Sequence, residues 1–517
     1  MEFSRTRTIA GPTAVLLLVL SVVLTPVSAA AGPSVPPAID TAPSDGQNLT
    51  LVDRLAPNRI LVEVAPTAHN WFAGTFINLP TDGPLTIGFS MTGRDTRGEK
   101  ADVSKWQGLK PVMTYADPTR YESYEWFRKD AGGRWTSGDL FEPEGERYAG
   151  TGAVPEQHAV PAALAPAFLS EDGGYWAPWR EVDATEVLSG VNIFRLTHAF
   201  AAPTATVAMR VPFTYTYLQA FLARLQTGHF PGVSVEEIGV TTEGRKLQIV
   251  RLDDPEAKAG TPPAKTILLI AREHATEPAS SWVLVGALSA LLRQTPEAKE
   301  LRKNTTWLAI PIEDPDGSAH AVFDRLTDLF REVSDDPKAS PEAYAYARYF
   351  TQYVYAGRTI HAAVTLHNVE ANETEQIVCP FVSVRDKAEA LRFNQAFFQS
   401  LAARGFVTGD PLLPWDYGFT PFRLYGWCAM QFGAFNPAFE VNDRYPAQRL
   451  SLARLREMGE VLANSLSRWL STPEGKIVCA RAEQIARLKR LERPVYYDRF
   501  GHNPEQRTKF DLITQGF

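Results

Sequence analysis

At 517 residues the chain exceeds one ordinary domain, so two domains with flanking segments are expected. A net charge of −7 excludes the basic footprint of a nucleic-acid binder. Apolar residues make up 44% of the chain, enough for sizeable cores, and only nine histidines occur, so any in ligand spacing are informative.

Arg5 and Arg7 make a positive start, "AVLLLVLSVVL" (14–24) is an apolar run of eleven residues, and "VSA" (27–29) offers a small-x-small cleavage site. A membrane span needs roughly 20 apolar residues, about twice this run. Residues 1–29 therefore read as a signal peptide, which predicts a secreted or periplasmic protein with no stable membrane insertion after cleavage. Residues 30–50, rich in Pro, Ser and Gly, read as a flexible leader.

From 51 to 212 short alternating or β-branched runs recur: "RILVEVAP", "GTFINL", "LTIGFSM", "VNIFRLTHAF" and "ATVAMRVPF". Turn clusters such as "TDGP", "DAGG" and "SEDGG" separate them. The pattern predicts an all-β, sandwich-like domain over 51–212. Six of the eleven tryptophans (Trp71, Trp106, Trp126, Trp135, Trp176, Trp179) fall here and read as core and loop packing rather than a ligand platform.

From 213 the rhythm changes. "FTYTYLQAFLARLQ" has helical spacing, "KTILLIA" (265–271) is a buried-strand run, and "EPASSWVLVGALSALLRQ" is a helix. "TTWLAIPI" (305–312) is a second strand, "PEAYAYARYFTQYVYAGR" a helix and "HAAVTLH" (361–367) a third strand. Apolar strands alternating with helices predict an α/β domain over 213–472, its largely parallel mixed sheet covered by helices. The helix "LARLREMGEVLANSLSRWL" (452–470) closes it, and 473–517 reads as a C-terminal helical tail.

Functional groups of open α/β sheets gather beyond the C-terminal strand ends. In "AREHATEPASSW" (271–282), His274 and Glu277 follow one strand and stand at a helix start, where Pro278 loses no needed N–H. His367 ends another strand of the same sheet. Two imidazoles and a carboxylate are three protein ligands, and catalytic zinc keeps its fourth position for water. One zinc per chain is expected on His274, Glu277 and His367. H-x-x-E alone is better read as an exposed helix-capping glutamate beside an ordinary histidine; the motifs that accompany it shift the balance. His361 and His320 lack the spacing and read as non-ligands.

"LLIAREHATEPASSWVLVGAL", "LAIPIEDPDG", "AVTLHN" and "NPAFEVND" together resemble the zinc carboxypeptidases, the carboxypeptidase A-like metallopeptidases, across roughly 213–470. "VPFTYTYLQAFLARL" and the Ala-Arg-x-His-x-x-Glu run are similar to the cytosolic-carboxypeptidase-like branch. The resemblance implies a metallocarboxypeptidase acting on a peptide with a free C-terminus. It makes Glu440 the general base, and a charge inside apolar "PAFEV" needs a reason of its own. It places Arg325 near the transition-state arginine and Arg331 at the terminal-carboxylate anchor, although Phe330 replaces an asparagine and Asp314 stands where the family has one. Tyr417 and Tyr425 lie at plausible distances for a substrate tyrosine, and Arg423 for neutralising an acidic substrate side chain. Each of the three arginines also reads as a solvated surface charge.

Export would favour cell-wall or exogenous peptides over tubulin tails. It would also allow one pair among Cys379, Cys428 and Cys479 to bridge, leaving one thiol free. Two other functions remain open: a zinc amidase or deacylase on a non-peptide amide, and an inactive binding protein that keeps the fold. Phe330 and Asp314 give weight to the second, and the intact His274, Glu277, His367 and Glu440 weigh against it.

Overall fold

Alternating burial builds the first part of the chain. In Arg59–Val64 the buried residues are Ile60, Val62 and Val64, and in Leu85–Met91 Leu85, Ile87, Phe89 and Met91 are buried, at every second position. In this computed structural model the described residues are 36–40, 45–65, 71–92, 102–115, 126–129, 135–138, 175–176, 180–182, 184–188, 192–227, 230–257, 265–293, 295–323, 325–326, 341–369, 375–381, 387–411, 423–443 and 450–491. Among them, the strands between Ala38 and Ala208 form two five-stranded sheets and one three-stranded sheet. Within the five-stranded sheets every pairing is antiparallel except Arg59–Val64 with Leu85–Met91. Phe72, just before the strand Ala73–Ile77 of one sheet, and Trp106 pack on Phe89 and Phe194 of the other, with ring centroids 4.5–6.1 Å apart. Trp71 and Trp106 are buried, as packing residues should be.

From Tyr215 helices and strands alternate, and a seven-stranded mixed sheet results. Thr305–Ile310, Lys265–Ala271, Ala362–Asn368 and Ala438–Val441 are neighbours in that order and run parallel. Val233–Val240 and Lys246–Leu252 add antiparallel strands on one side, and Ile377–Phe381 adds one on the other. The Lys265–Ala271 strand serves both faces. Ile267, Leu269 and Ala271 join one apolar cluster with the helix Pro278–Leu292, while Leu268 and Ile270 join another with the helix Pro341–Tyr355. Burial on both sides explains the near-continuous apolar runs of the central strands.

The helix Pro278–Leu292 is buried at every residue, which its apolar sequence permits on all sides. It packs against the helix Leu452–Trp469 through two glycines. A Cβ on Gly286 would run into the Arg456 backbone, and one on Gly459 into the backbone of Val283 and Ala287. The tail begins as the expected helix, Pro473–Leu491, and its remainder lies outside the described residues. No cysteine pair bridges. Cys379, Cys428 and Cys479 are each buried, and Cys379 Sγ accepts a hydrogen bond from Asn394 Nδ2 at 2.9 Å.

Candidate metal centre

The Lys265–Ala271 strand ends at a sharp turn. Arg272 adopts a left-handed φ of 65°, uncommon for a side chain of its size. Its buried guanidinium holds that turn: Nη1 donates to Phe213 O at 2.8 Å, and Nη2 to Ser318 Oγ at 2.7 Å and to Ala275 O. The chain then delivers His274 and, at the N-terminus of the helix Pro278–Leu292, Glu277. Glu277 makes no side-chain capping bond, so its carboxylate is not spent on the helix. This excludes the helix-capping reading of the H-x-x-E run. Phe323 packs on the His274 ring, centroid to centroid 4.4 Å.

His367, fully buried, comes from the adjacent parallel strand. Its Nδ1 lies 3.1 Å from Glu277 Oε2 and 3.2 Å from His274 Nδ1, and His274 Nδ1 lies 2.9 Å from Glu277 Oε1. The ligand atoms of all three residues fall within 4.8 Å of one another, the only such group among the described residues. Two nitrogens and a carboxylate oxygen converging at this range fit a zinc ion with an open position. Burial alone would raise the Glu277 carboxyl, but His274 and His367 outweigh it and hold it well below the usual carboxylate range. Burial would lower His367, but Glu277 and Glu273 outweigh that and hold it above the usual imidazole range.

Glu440 is the register partner of His367 across the parallel pair, so the two side chains leave the same face of the sheet side by side. It is partly buried, and its Oε2 has no hydrogen-bond partner. Burial and the nearby Glu277 raise its pKa to about 8. Asn368 ties the elements of the site together. Its Oδ1 accepts from Ser280 N at 3.2 Å, at the Glu277 helix start, and its Nδ2 donates to Val441 O at 3.0 Å, beside Glu440.

The other expected residues are placed differently. Arg325 is engaged by carboxylates: Nη2 lies 2.6 Å from Asp314 Oδ1 and 2.9 Å from Glu342 Oε1. Asp314 also caps the helix Pro315–His320, accepting from Gly317 N at 2.9 Å. Arg423 Nε lies 3.2 Å from Glu273 Oε1. Tyr425, only 2% exposed, sits in the apolar cluster that includes Leu424 and Cys428, because its position on the helix Leu424–Phe432 faces the core. Arg331, Phe330 and Tyr417 lie outside the described residues. His361 Nδ1 accepts from Thr266 N at 2.9 Å, and His320 Nε2 meets Glu243 at 2.7 Å, both apart from the triad. Glu273 and Asn368 join the site without having been expected there. The signal available for Glu273 was a charge directly after an apolar strand, the argument that singled out Glu440.

Fold and donor set together define an α/β protein with a mononuclear metal centre at the C-terminal strand ends. Residues 218–332 match the family model described as zinc carboxypeptidase. Cytosolic carboxypeptidase 6 of Homo sapiens is 30% identical over 157 residues, 26% of this chain and 31% of that protein. Cytosolic carboxypeptidase 6 of Caenorhabditis elegans is 29% identical over 150 residues, 28% of this chain and 32% of that protein. The matched segment therefore spans less than a third of these relatives. A metallo-carboxypeptidase from Burkholderia cenocepacia superposes with a TM-score of 0.59, covering 84% of this chain and 99% of its own, at 17% identity. One from Pseudomonas aeruginosa gives 0.51 over 82% and 96%, at 15% identity. At such identities the likeness establishes the fold.

The expectation of a secreted or periplasmic protein is corrected by these matches, since the curated relatives are cytosolic carboxypeptidases. Export was read from the charge and hydropathy of residues 1–29, which lie outside the described residues. Those properties are independent of the domain that bears the similarity.

Proposed function

We propose that the chain is a zinc-dependent metallocarboxypeptidase hydrolysing the C-terminal peptide bond of a peptide. The observation carrying this reading is the convergence of His274, Glu277 and His367 beside an in-register Glu440. Zinc, when bound there, supplies a Lewis acid that polarises the scissile carbonyl and acidifies water. Glu440 takes a proton from the attacking water and returns it to the leaving amine. Its unpartnered Oε2 suits that role, because no structural hydrogen bond competes for the proton. Arg331 anchors the substrate's terminal carboxylate, which a planar guanidinium binds in bidentate fashion. Arg325, engaged by Asp314 and Glu342, is assigned to holding the loop after the Pro315–His320 helix rather than to the reacting carbonyl. In the same reading 51–212 is the sandwich-like domain and 213–472 the catalytic domain.

The test pairs zinc analysis with a panel of peptides of mixed sequence, each with a free and an amidated C-terminus. Stoichiometric zinc and release of single C-terminal residues from the free peptides only are expected. Equal cleavage of amidated peptides would move the assignment to an amidase. Stoichiometric zinc with no release would leave a binding protein.

A further inference from the structure

His367 presents two ring nitrogens to two different environments. Nδ1 faces His274 and Glu277, within 3.1–3.2 Å. Nε2, across the ring, lies 3.5 Å from Glu273 Oε2 and 3.3 Å from Thr365 Oγ1. Glu273 is 2% exposed and neither carboxylate oxygen has a hydrogen-bond partner, but Arg423 forms an ion pair with Oε1 at 3.2 Å. The guanidinium at that distance favours the ionised form of the Glu273 carboxyl, so the group faces His367 as an anion.

A buried carboxylate of this kind needs a reason to be there. A neutral imidazole carries one proton, and the partner of one nitrogen decides which nitrogen keeps its lone pair. An anion accepts a hydrogen bond and cannot donate one, so it selects the tautomer protonated on its own side.

Resting on the reading of the triad as a zinc site, we infer that Glu273, held by Arg423, is a positioning residue for His367. It keeps the ring protonated at Nε2 and turns the Nδ1 lone pair toward the metal. Carboxylates behind ligand histidines raise ligand basicity and fix ring orientation, and their loss weakens metal binding about 10- to 100-fold. Glu273 supplies the metal with no atom of its own.

The experiment is zinc affinity of the full chain, measured by competition with a chromophoric chelator, for the wild type, Glu273→Ala, Glu273→Gln and Thr365→Val. Absorption spectra of the cobalt-loaded proteins report ligand geometry independently of turnover. Glu273→Ala is expected to lose roughly 10- to 100-fold in zinc affinity and to shift the cobalt spectrum. Glu273→Gln, which keeps an acceptor oxygen but not the charge, should recover most of that, remaining about three- to tenfold weaker than wild type. Thr365→Val should stay near wild type.

A wild type that binds zinc while Glu273→Ala binds it equally well overturns this inference and leaves the zinc reading intact. Loss confined to Thr365→Val overturns it too, assigning Nε2 to the hydroxyl. If Glu273→Ala does not fold, the isosteric Glu273→Gln decides: zinc affinity equal to wild type refutes the role. A wild type that binds no zinc removes the metal reading itself, and this inference with it.

Discussion

Glu440 and His367 sit opposite one another on adjacent strands, and their roles separate under substitution. Glu440→Gln keeps the side chain's shape but cannot take a proton. Zinc content and KM should stay near wild type while kcat falls about 10²-fold or more, which steady-state kinetics on a cleaved peptide will read. His367→Ala should instead empty the metal site, as elemental analysis will show. Its strand should persist, since six other buried residues, Ala362 to Leu366 and Asn368, hold it in the sheet. The raised pKa of Glu440 adds a pH effect in the zinc-free protein. Between its ordinary 4.5 and about 8, the folded state keeps a proton that the unfolded state has lost. Stability therefore falls as pH rises through that window. Glu440→Gln should remove this fall, making the zinc-free variant more stable than wild type at pH ~9 by roughly 1–3 kcal/mol. Urea unfolding at both ends of the window checks it, and a bound cation should shrink the difference.

At the scale of elements, the site depends on how closely one helix approaches another. Pro278–Leu292 starts at Glu277, so any displacement of the helix moves a metal ligand. Gly286 and Gly459 allow its close contact with Leu452–Trp469, where neither backbone leaves room for a methyl group. Gly459→Ala should separate the helices and destabilise the protein by about 1–3 kcal/mol, visible as a lower urea midpoint. Zinc affinity should weaken with it. Asn368 works at the same scale, joining the Ser280 N–H to the strand of Glu440.

Across the whole molecule, the first sheets are tied to the strands that carry the site. Arg210, two residues past the strand Thr204–Ala208, is buried and donates Nη1 to Asp443 Oδ1 at 2.9 Å and Nη2 to Val369 O at 2.8 Å. Asp443 follows Glu440 by three residues and Val369 follows His367 by two, so one guanidinium grips both strand exits. Arg210→Ala should destabilise by about 3–5 kcal/mol, because it breaks a buried ion pair with Asp443 and the bond to Val369 O. Chemical denaturation will measure it. Zinc acts on the same equilibrium by mass action. Chelation should lower the melting temperature, and zinc at about 100 times its Kd should restore roughly 2.7 kcal/mol.

The alternation of strands and helices from 213 onward, the covered mixed sheet and the three candidate ligands were legible in order along the chain. Periodicity and strand-end position are local properties, written in consecutive residues. The antiparallel pair Val233–Val240 and Lys246–Leu252, and the helix Lys387–Ala402, went unread. The pair's burial alternates unevenly, and a bulge between Glu237 and Gly239 breaks its register. Arg325, Arg423 and Tyr425 show where local reading stops. Each has a suitable side chain at a suitable distance along the chain, yet two guanidiniums are engaged by carboxylates and the tyrosine is in the core. Consecutive residues alone specified which side chains could bind a metal and that strand ends would present them. Which nitrogen of His367 faces the triad, that Glu273 stands behind it, and which arginines are already engaged emerge only once the chain is packed in three dimensions. Such contacts join residues tens to hundreds of positions apart, and no local pattern in the chain encodes their distance or their charge balance.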